Sequence, residues 1–436
     1  VASAKLGILD TIGVALAGAR EDAPRLAARA LDLHDGPALV LGTRQRAGTL
    51  DAALLNGVAA HALDFDDCNN TLGGHPSAPV LSALLPLAEQ LGSSGRDFLV
   101  AYVAGFETEA KIGLAVNLHH YTKGWHPTAT LGTFGAAAAC ARLMGLDADG
   151  TATALALAAS FASGIKANFG TMAKPLHVGH CARNGLYAAR LAREGFTANA
   201  ARAFEHKQGF LDVFNGPGTH DAQRALDAWA APLDIVEPGI GIKQYPCCAS
   251  THPALDAMLE LVRRHALRIE QVERVDAWIH SRRLAHTDRP RPGSPLDAKF
   301  SLQYVLARAL LDGHVGANDF IENAYRQPEA LALLPRIHVA AYDETGAGDF
   351  PQANHFGALV RITLHGGGVL EARVDQPLGR TSANPLPPAL LRDKFDLCAS
   401  AVLAPRAIPA VAEAIEHIEI LDSIGALTAQ IHRATI

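Results

Sequence analysis

The sequence predicts a mainly α protein in which a large all-helical domain is joined to a smaller α+β domain. The first half of the 436-residue chain carries apolar residues at helical spacing. Strand-like alternation begins only after residue 236, and helical spacing returns after Pro388. A chain of this length can form two domains, each with its own core.

The helical half divides into segments at glycines and prolines. Leu9, Ile12 and Leu16 share one face of a helix that should end near Gly18. The same spacing predicts helices that lead to residue 64 and cover 79–91 (with a kink at Pro86), 98–116, 128–144 and 179–194. The alanine-rich segment 128–144 should be central, because small side chains let helices approach closely.

The smaller domain is predicted from alternating strand and helix signals. In chain order these are a helix at 253–265, a strand at 272–279, a helix at 299–311, a strand at 336–341 and a hairpin at 359–374. Residues 235–246, rich in proline and glycine, have the composition of a linker. We therefore predict an α+β domain at 238–385 and an all-helical domain formed by 1–237 and 386–436.

The composition excludes several classes of partner. The formal net charge is −6 and no block of Lys and Arg is present, so we expect neither nucleic acid nor an anionic membrane surface as a partner. No apolar run reaches the roughly 20 residues that span a bilayer. Six cysteines without CxxC spacing predict reduced thiols in a cytoplasmic protein.

A basic residue followed by proline recurs at four predicted helix starts: His75-Pro76, His126-Pro127, Lys174-Pro175 and His252-Pro253. Proline is favoured in the first helical turn, and the basic residue before it would lie at the positive end of the helix dipole. If folding brings the four sites together, they form a receptor for several carboxylates, with imidazoles that transfer protons near neutral pH. The pattern predicts an enzyme acting on a di- or tricarboxylate.

Each of these segments also has a simpler interpretation. Asp64 and the two aspartates after it could be solvated helix caps, and the histidines could bond to the nearby backbone. Tyr304 lies in an apolar helical segment and could be a core residue. An Asp-rich motif could bind Mg²⁺ and a diphosphate, but a second acidic cluster is not evident in the sequence.

Motifs for metals and cofactors are not found in the sequence. It contains no GxGxxG, P-loop, GxSxG or HExxH pattern. Its 20 histidines show no standard zinc spacing, and the adjacent thiols of Cys247 and Cys248 cannot easily share one metal. We therefore predict that the protein uses neither a metal nor a cofactor.

The chain resembles the MmgE/PrpD family at these same segments. The matching stretches follow one another in family order: 61–67, 75–77, 124–127, 170–177, 245–247 with 250–252, and 300–304. The family includes 2-methylcitrate dehydratase, cis-aconitate decarboxylase and iminodisuccinate epimerase. The resemblance implies an all-helical domain, an α+β lid, a homodimer, and a metal-free active site between helical domain and lid.

The resemblance also implies roles for individual residues. The catalytic residues would be His75, His126, Lys174, His252 and Tyr304, and the substrate-binding residues Asp64, Cys68, Thr71 and His177. Cys68 stands where many relatives carry a threonine, and Thr71 could replace that hydroxyl in space. The loop from Cys68 to Gly74 also differs in length from that of the decarboxylases. Because this loop should shape the pocket, the difference weighs against decarboxylation.

The leading functional hypothesis is a metal-independent hydro-lyase that resembles 2-methylcitrate dehydratase. Lys174 and His75 would stabilise the enediolate formed by proton abstraction next to a carboxylate. His126 or His252 would transfer the proton, and Tyr304 would protonate the leaving hydroxyl. The alternative is a cis-aconitate decarboxylase-like or iminodisuccinate epimerase-like enzyme on the same scaffold. A hypothesis from another class is a carboxylate-binding protein without catalytic activity.

Overall fold

The computed structural model describes residues 1–351 and 354–436. The chain divides into two compact units, which we call unit 1 (Val1–Ile242 with Thr381–Ile436) and unit 2 (Lys243–Arg380). The domain borders predicted from the sequence lie five residues from these divisions. Helices dominate unit 1 and unit 2 adds a sheet, so the chain is mainly α.

The N-terminal part of unit 1 contains eleven α-helices within the described residues. They are α1 (Ala2–Gly18), α2 (Asp22–Arg29), α3 (Thr49–Ala62), α4 (Ser77–Leu91), α5 (Gly95–Val116), α6 (His119–Lys123), α7 (Pro127–Thr130), α8 (Gly132–Leu143), α9 (Ala148–Phe161), α10 (Ala173–Arg193) and α11 (Ala222–Asp227). A hairpin of two short strands, β1 (Ala38–Leu39) and β2 (Arg46–Ala47), interrupts them. The sequence did not predict this hairpin.

Small residues let the central helices of unit 1 approach one another. A Cβ at Gly179 in α10 would lie 2.3 Å from the carbonyl oxygen of Leu54 in α3, and one at Gly57 would lie 2.7 Å from the Gly179 Cα. These two positions therefore require glycine. The predicted helix at 128–144 is present as α7 and α8, with Leu131 between them, and nearly all of α8 is buried.

Unit 2 is a mixed sheet with helices. In chain order its elements are α12 (His252–His265), β3 (Val272–Ile279), α13 (Ser281–Thr287), α14 (Pro295–Ala298), α15 (Leu302–Asp312), α16 (Glu322–Tyr325), α17 (Pro328–Leu333), β4 (Ile337–Ala341), α18 (Tyr342–Thr345), β5 (Ala358–Leu364) and β6 (Val369–Val374). The strand order is β4-β3-β5-β6; β4 is parallel to β3, and the other pairs are antiparallel. The predicted hairpin is β5–β6, and apolar residues of α12 and α15 form the core with the sheet.

The C-terminal segment returns to unit 1 as α19 (Pro388–Ala399), α20 (Ile408–Glu416) and α21 (Ile424–Ala434). Lys394 of α19 fixes this segment in place: its Nζ lies 2.6 Å from Asp10 Oδ1 of α1 and donates to the carbonyl of Phe65 at 2.8 Å. The segment thereby supports the loop that follows α3.

Within the described residues, no single helix combines the length and apolar character needed to cross a membrane. The helices α1 and α2 meet that criterion only when taken together, across a bend of 72°.

Candidate active site

Two aspartates and a histidine meet where α3 ends. Asp64 follows the helix with a φ of 53°, a left-handed conformation that Asp adopts more readily than most residues. His61, in the last turn of α3, directs its Nδ1 at both carboxylate oxygens of Asp66, at 3.0 and 2.8 Å. All three side chains are buried, so the two carboxylates do not act as solvated caps.

Lys174 brings a positive charge to this group. It lies in the first turn of α10, and its Nζ is 2.8 Å from Asp64 Oδ1 and 2.6 Å from His61 Nε2. One of these contacts joins α10 to α3, and the other joins α10 to the turn after α3. Both therefore depend on the close approach of α3 and α10 at Gly57 and Gly179.

His75 lies on the other side of the two aspartates. Its Nδ1 is 3.3 Å from Asp66 Oδ2, and its Nε2 is 3.6 Å from Asp64 Oδ1. The backbone N–H of His75 donates to Thr128 Oγ1 of α7 at 3.1 Å. His75 is therefore held by both side-chain and backbone contacts.

Asp67 anchors the beginning of α4, just after His75. Its carboxylate accepts hydrogen bonds from the backbone N–H of Ser77 (3.2 Å) and from the Ser77 hydroxyl, which also contacts the Tyr102 hydroxyl. Burial raises the pKa of Asp67, against the effect of these hydrogen bonds. The capping interpretation thus applies to Asp67, although this cap is buried and not solvated.

Two further histidines complete what we call the unit 1 cluster: His61, Asp64, Asp66, His75, His126, Lys174 and His177. The ring centroid of His126 lies 5.7 Å from that of His61, and the Nδ1 atoms of His126 and His177 are 3.3 Å apart. The ring of Phe169 packs edge-on against His126, with 4.9 Å between centroids. The cluster therefore offers several imidazoles around one ammonium group.

Burial and the nearby ammonium group favour the neutral form of three imidazoles, those of His61, His126 and His177. Burial lowers the pKa of His61 to about 3, although Asp66 opposes this effect. Burial, followed by the charge of Lys174, holds the pKa of His126 well below 6.5 and also lowers that of His177. For Asp66, burial favours the protonated form, but the two neighbouring imidazoles outweigh it and hold its pKa well below the usual value.

Four members of the cluster have the chemistry of metal ligands. One ligand atom each from His61, Asp64, Asp66 and His75 lies within 4.8 Å of the others. The Lys174 Nζ already contacts two of these four residues. An ammonium group in this position supplies the positive charge that a metal ion would otherwise bring, and it would repel such an ion.

The predicted substrate-binding residues Cys68 and Thr71 lie in the loop between α3 and α4. The backbone of Cys68 pairs with Gly241, each N–H donating to the other carbonyl at 2.7 Å. Thr71 is half-buried, and its carbonyl accepts from Asn117 Nδ2 at 3.1 Å. Their contact with a substrate stays a prediction.

The predicted residues His252 and Tyr304 belong to unit 2. His252 is buried in the first turn of α12, with its Nε2 3.3 Å from the Cys247 carbonyl and its ring edge-on to Tyr245. Tyr304 is fully buried in the unit 2 core, and its hydroxyl donates to the carbonyl of Asp319. This contact matches the simpler interpretation of Tyr304 as a core residue, and its role as a proton donor stays a prediction.

The expected position of the basic residue relative to the helix start holds for one of the four sites. His126 is the residue before α7, with Pro127 first in the helix. In α10 and α12 the helix begins earlier, so Lys174 and His252 lie inside the first turn; α4 begins only after Pro76. The reason is that none of the first N–H groups of a helix has an intrahelical partner, so proline is tolerated at several positions there.

Sequence reasoning gave no role to two residues at the centre of the cluster, His61 and Asp66. Both lie in the stretch 61–67 that carried the resemblance. A histidine three residues before Asp64, near the end of a predicted helix, was the available signal. Its meaning depends on Lys174, which is 113 residues away in the chain.

Comparison with known proteins identifies the family. The MmgE/PrpD N-terminal domain matches residues 1–223, and the MmgE/PrpD C-terminal domain matches residues 245–419. The human protein named cis-aconitate decarboxylase is 30% identical over 97% of this chain and 88% of its own length. The mouse protein of that name is 31% identical over 86% and 77%, and the one from Aspergillus terreus 28% over 92% and 85%. The resemblance seen in the sequence is confirmed: this chain belongs to the MmgE/PrpD family.

Proposed function

We propose that this protein is a decarboxylase that acts on cis-aconitate or a closely similar unsaturated tricarboxylate. The observation that carries the proposal is the convergence of Lys174, His75 and His126 in one buried cluster. The names of the relatives favour decarboxylation over the dehydration that the sequence alone placed first.

The cluster has the charge distribution that such a substrate needs. Lys174 and the N-terminal turn of the long helix α10 would attract carboxylates. The neutral imidazoles add hydrogen-bonding groups without adding repulsion between cations. Asp64 and Asp66 limit the net positive charge, so that a carboxylate can leave as neutral carbon dioxide.

The proposed reaction replaces one carboxylate of the substrate by one proton. The carbon–carbon bond to one carboxylate breaks, carbon dioxide leaves, and the electron pair moves into the adjacent carbon–carbon double bond system. A proton is then delivered to carbon, which gives an unsaturated dicarboxylate. Binding of a trianion beside His126 favours its protonated form, so His126 is placed to become the acid, with His75 as the second candidate.

The test is turnover followed by NMR in D₂O with EDTA present. Cis-aconitate, 2-methylcitrate, citrate and iminodisuccinate are offered separately. We expect cis-aconitate to yield one carbon dioxide and one singly deuterated dicarboxylate per turnover. Alkene formation from 2-methylcitrate without decarboxylation of cis-aconitate would restore the hydro-lyase hypothesis. Inversion of iminodisuccinate with deuterium uptake would indicate an epimerase, and binding without turnover a carboxylate-binding protein.

Variants of cluster residues, compared with variants of exposed residues, test whether the cluster is the active site. His126→Gln should lower kcat/KM at least about 100-fold, the lower range for loss of a proton-transfer group. Lys174→Met should also lower it at least about 100-fold, the lower range for loss of a group that stabilises charge in the transition state. His180→Gln, an exposed histidine one turn after His177 in α10, and Lys207→Gln, an exposed lysine, are the controls and should retain activity. Equal losses in the control variants would contradict the assignment of the site.

A further inference from the structure

His61 has a different charged partner on each ring nitrogen. Its Nδ1 faces the Asp66 carboxylate at 2.8 Å, and its Nε2 faces the Lys174 ammonium at 2.6 Å. The imidazole is 1% exposed. The three groups therefore form a continuous chain from Asp66 through His61 to Lys174.

These partners define the tautomer of His61. An ammonium group has only donors and a carboxylate only acceptors. Nε2 must therefore accept from Lys174, and the single proton must lie on Nδ1, where it is donated to Asp66. The lowered pKa of His61 agrees with this neutral form.

The surroundings hold the ring in this orientation. His75 packs edge-on against it, with 4.6 Å between centroids, and also contacts Asp66. A ring flip would place a bare nitrogen against the Asp66 carboxylate and an N–H against the ammonium. The orientation of His61 is thus determined by charge as well as by packing.

We propose that His61 is a positioning residue, which Asp66 orients and which holds the Lys174 ammonium beside Asp64 for binding a substrate carboxylate. This inference rests on the proposed function in one respect, the role given there to Lys174. His61 itself need not touch the substrate, because it acts on the position of Lys174. A displacement of about 1 Å in a substrate-positioning group can cost about 100-fold in rate.

The first test does not depend on turnover. With ¹⁵N-labelled histidine at pH 7, the NMR spectrum of the intact protein should show a protonated Nδ1 and an unprotonated Nε2 for His61. Lys174→Met should shift the Nε2 signal and leave Nδ1 protonated. A protonated Nε2 in the wild type would overturn the proposal, and so would an Nε2 signal that is the same in the wild type and in Lys174→Met.

The second test measures coupling between His61 and Lys174. The dissociation constant of propane-1,2,3-tricarboxylate is measured by calorimetry for the wild type, His61→Leu, Lys174→Met and the double variant. If His61 acts through Lys174, the double variant should bind no more weakly than Lys174→Met alone. The alternative result is a double variant in which the two increases in dissociation constant multiply. That result would show that His61 acts independently of Lys174, and it would overturn the proposal.

Rescue separates positioning from simple packing. His61→Gln keeps one donor for Asp66 and one acceptor for Lys174, whereas His61→Leu keeps only the volume. We expect His61→Leu to lower kcat/KM for cis-aconitate about 100-fold and His61→Gln to recover at least tenfold of that loss. Equal losses in the two variants, with both folded by circular dichroism, would contradict the proposal. If the wild type turns over no offered acid, the proposed function fails, whereas the tautomer measurement still decides the role of His61.

Discussion

Burial and the charge of Lys174 together favour the neutral form of the imidazoles around this residue. Its ammonium contacts Asp64 and His61, and its charge is the second cause, after burial, of the lowered pKa of His126. A single lysine thus lets carboxylates and neutral imidazoles share one buried region. Two testable consequences follow at the scale of this residue.

The first consequence concerns the protonation of His126. Lys174→Met keeps the length of the side chain and removes the charge, so the pKa of His126 should rise, while staying below 6.5 because burial remains. The measurement is an NMR titration of labelled histidine. Lys207→Met, which changes an exposed lysine, should leave the His126 titration unchanged. An unchanged His126 pKa in Lys174→Met would show that burial alone sets it.

The second consequence concerns metal ions. Lys174→Ala removes the ammonium from His61, Asp64, Asp66 and His75, whose ligand atoms already lie within 4.8 Å of one another. We expect this variant to bind Co²⁺ or Zn²⁺ at least tenfold more tightly than the wild type, as measured by Co²⁺ absorption and calorimetry. The double variant Lys174→Ala/His75→Ala should lose this increase in metal affinity, because it lacks one of the four ligands. Equal affinity in wild type and Lys174→Ala would mean that the lysine does not keep cations out.

The helices α3 and α10 hold His61 and Lys174 at contact distance. They cross where Gly57 and Gly179 face each other, and a side chain at either position would collide with backbone. The crossing thus links backbone packing directly to the geometry of the site.

Gly179→Ala tests this link. The added methyl group would push α10 away from α3, so we expect a loss of about 1–3 kcal/mol in the free energy of unfolding, as for other overpacked cores. Activity should fall as well, because Lys174 moves with α10. The measurements are chemical denaturation and turnover. Gly293→Ala, where a Cβ meets nothing within 4 Å, is the control. A Gly179→Ala variant with wild-type stability and activity would contradict this link, because it would show that α3 and α10 accommodate the methyl group without moving Lys174.

Helices and strands could be predicted from the sequence where the periodic spacing of apolar residues continued over several turns or over a whole strand. The long helices α1, α4 and α5 and the β5–β6 hairpin lie close to their predicted places. The β1–β2 hairpin was missed because strands of two residues are too short to show alternation. The start of α10 was missed because proline stands at its third position, where it does not mark the helix start.

At the scale of the whole molecule, local patterns indicate candidate residues but not which of them meet. The four basic residues before proline were visible in the sequence, and the structure brings His75, His126 and Lys174 together in unit 1. The contacts of His61 and Asp66 depend on long-range packing, which no spacing rule contains. The homodimer and the cytoplasmic location stay predictions from the sequence.

Burial of neutral histidine also affects the stability of the whole chain. The pKa of His61 is about 3 in the folded protein against 6.5 for an ordinary histidine. Between these pH values the unfolded chain binds a proton that the folded protein does not, so stability falls as the pH falls from 6.5 toward 3. From pH 7 to pH 5 the wild type should lose about 2 kcal/mol more than His61→Gln, which lacks this group. In the wild type the carboxylate of Asp66 stays ionised between pH 7 and pH 5, because its pKa is held well below the usual value. His61→Gln removes one cause of that low pKa, and any proton that Asp66 then takes up in the folded variant would enlarge the difference.

The measurement is urea denaturation of wild type and His61→Gln at both pH values, and His34→Gln, which changes an exposed histidine, is the matched control. Burial also lowers the pKa of His120, to about 4, but this residue is the same in all three proteins and its contribution cancels. An identical loss in wild type and His61→Gln would mean that His61 takes up a proton in the folded state above pH 5. A protonated Nε2 could then no longer accept from Lys174. Acid stability therefore tests, in the unliganded protein, the same hydrogen bond that we infer to position the lysine for the substrate.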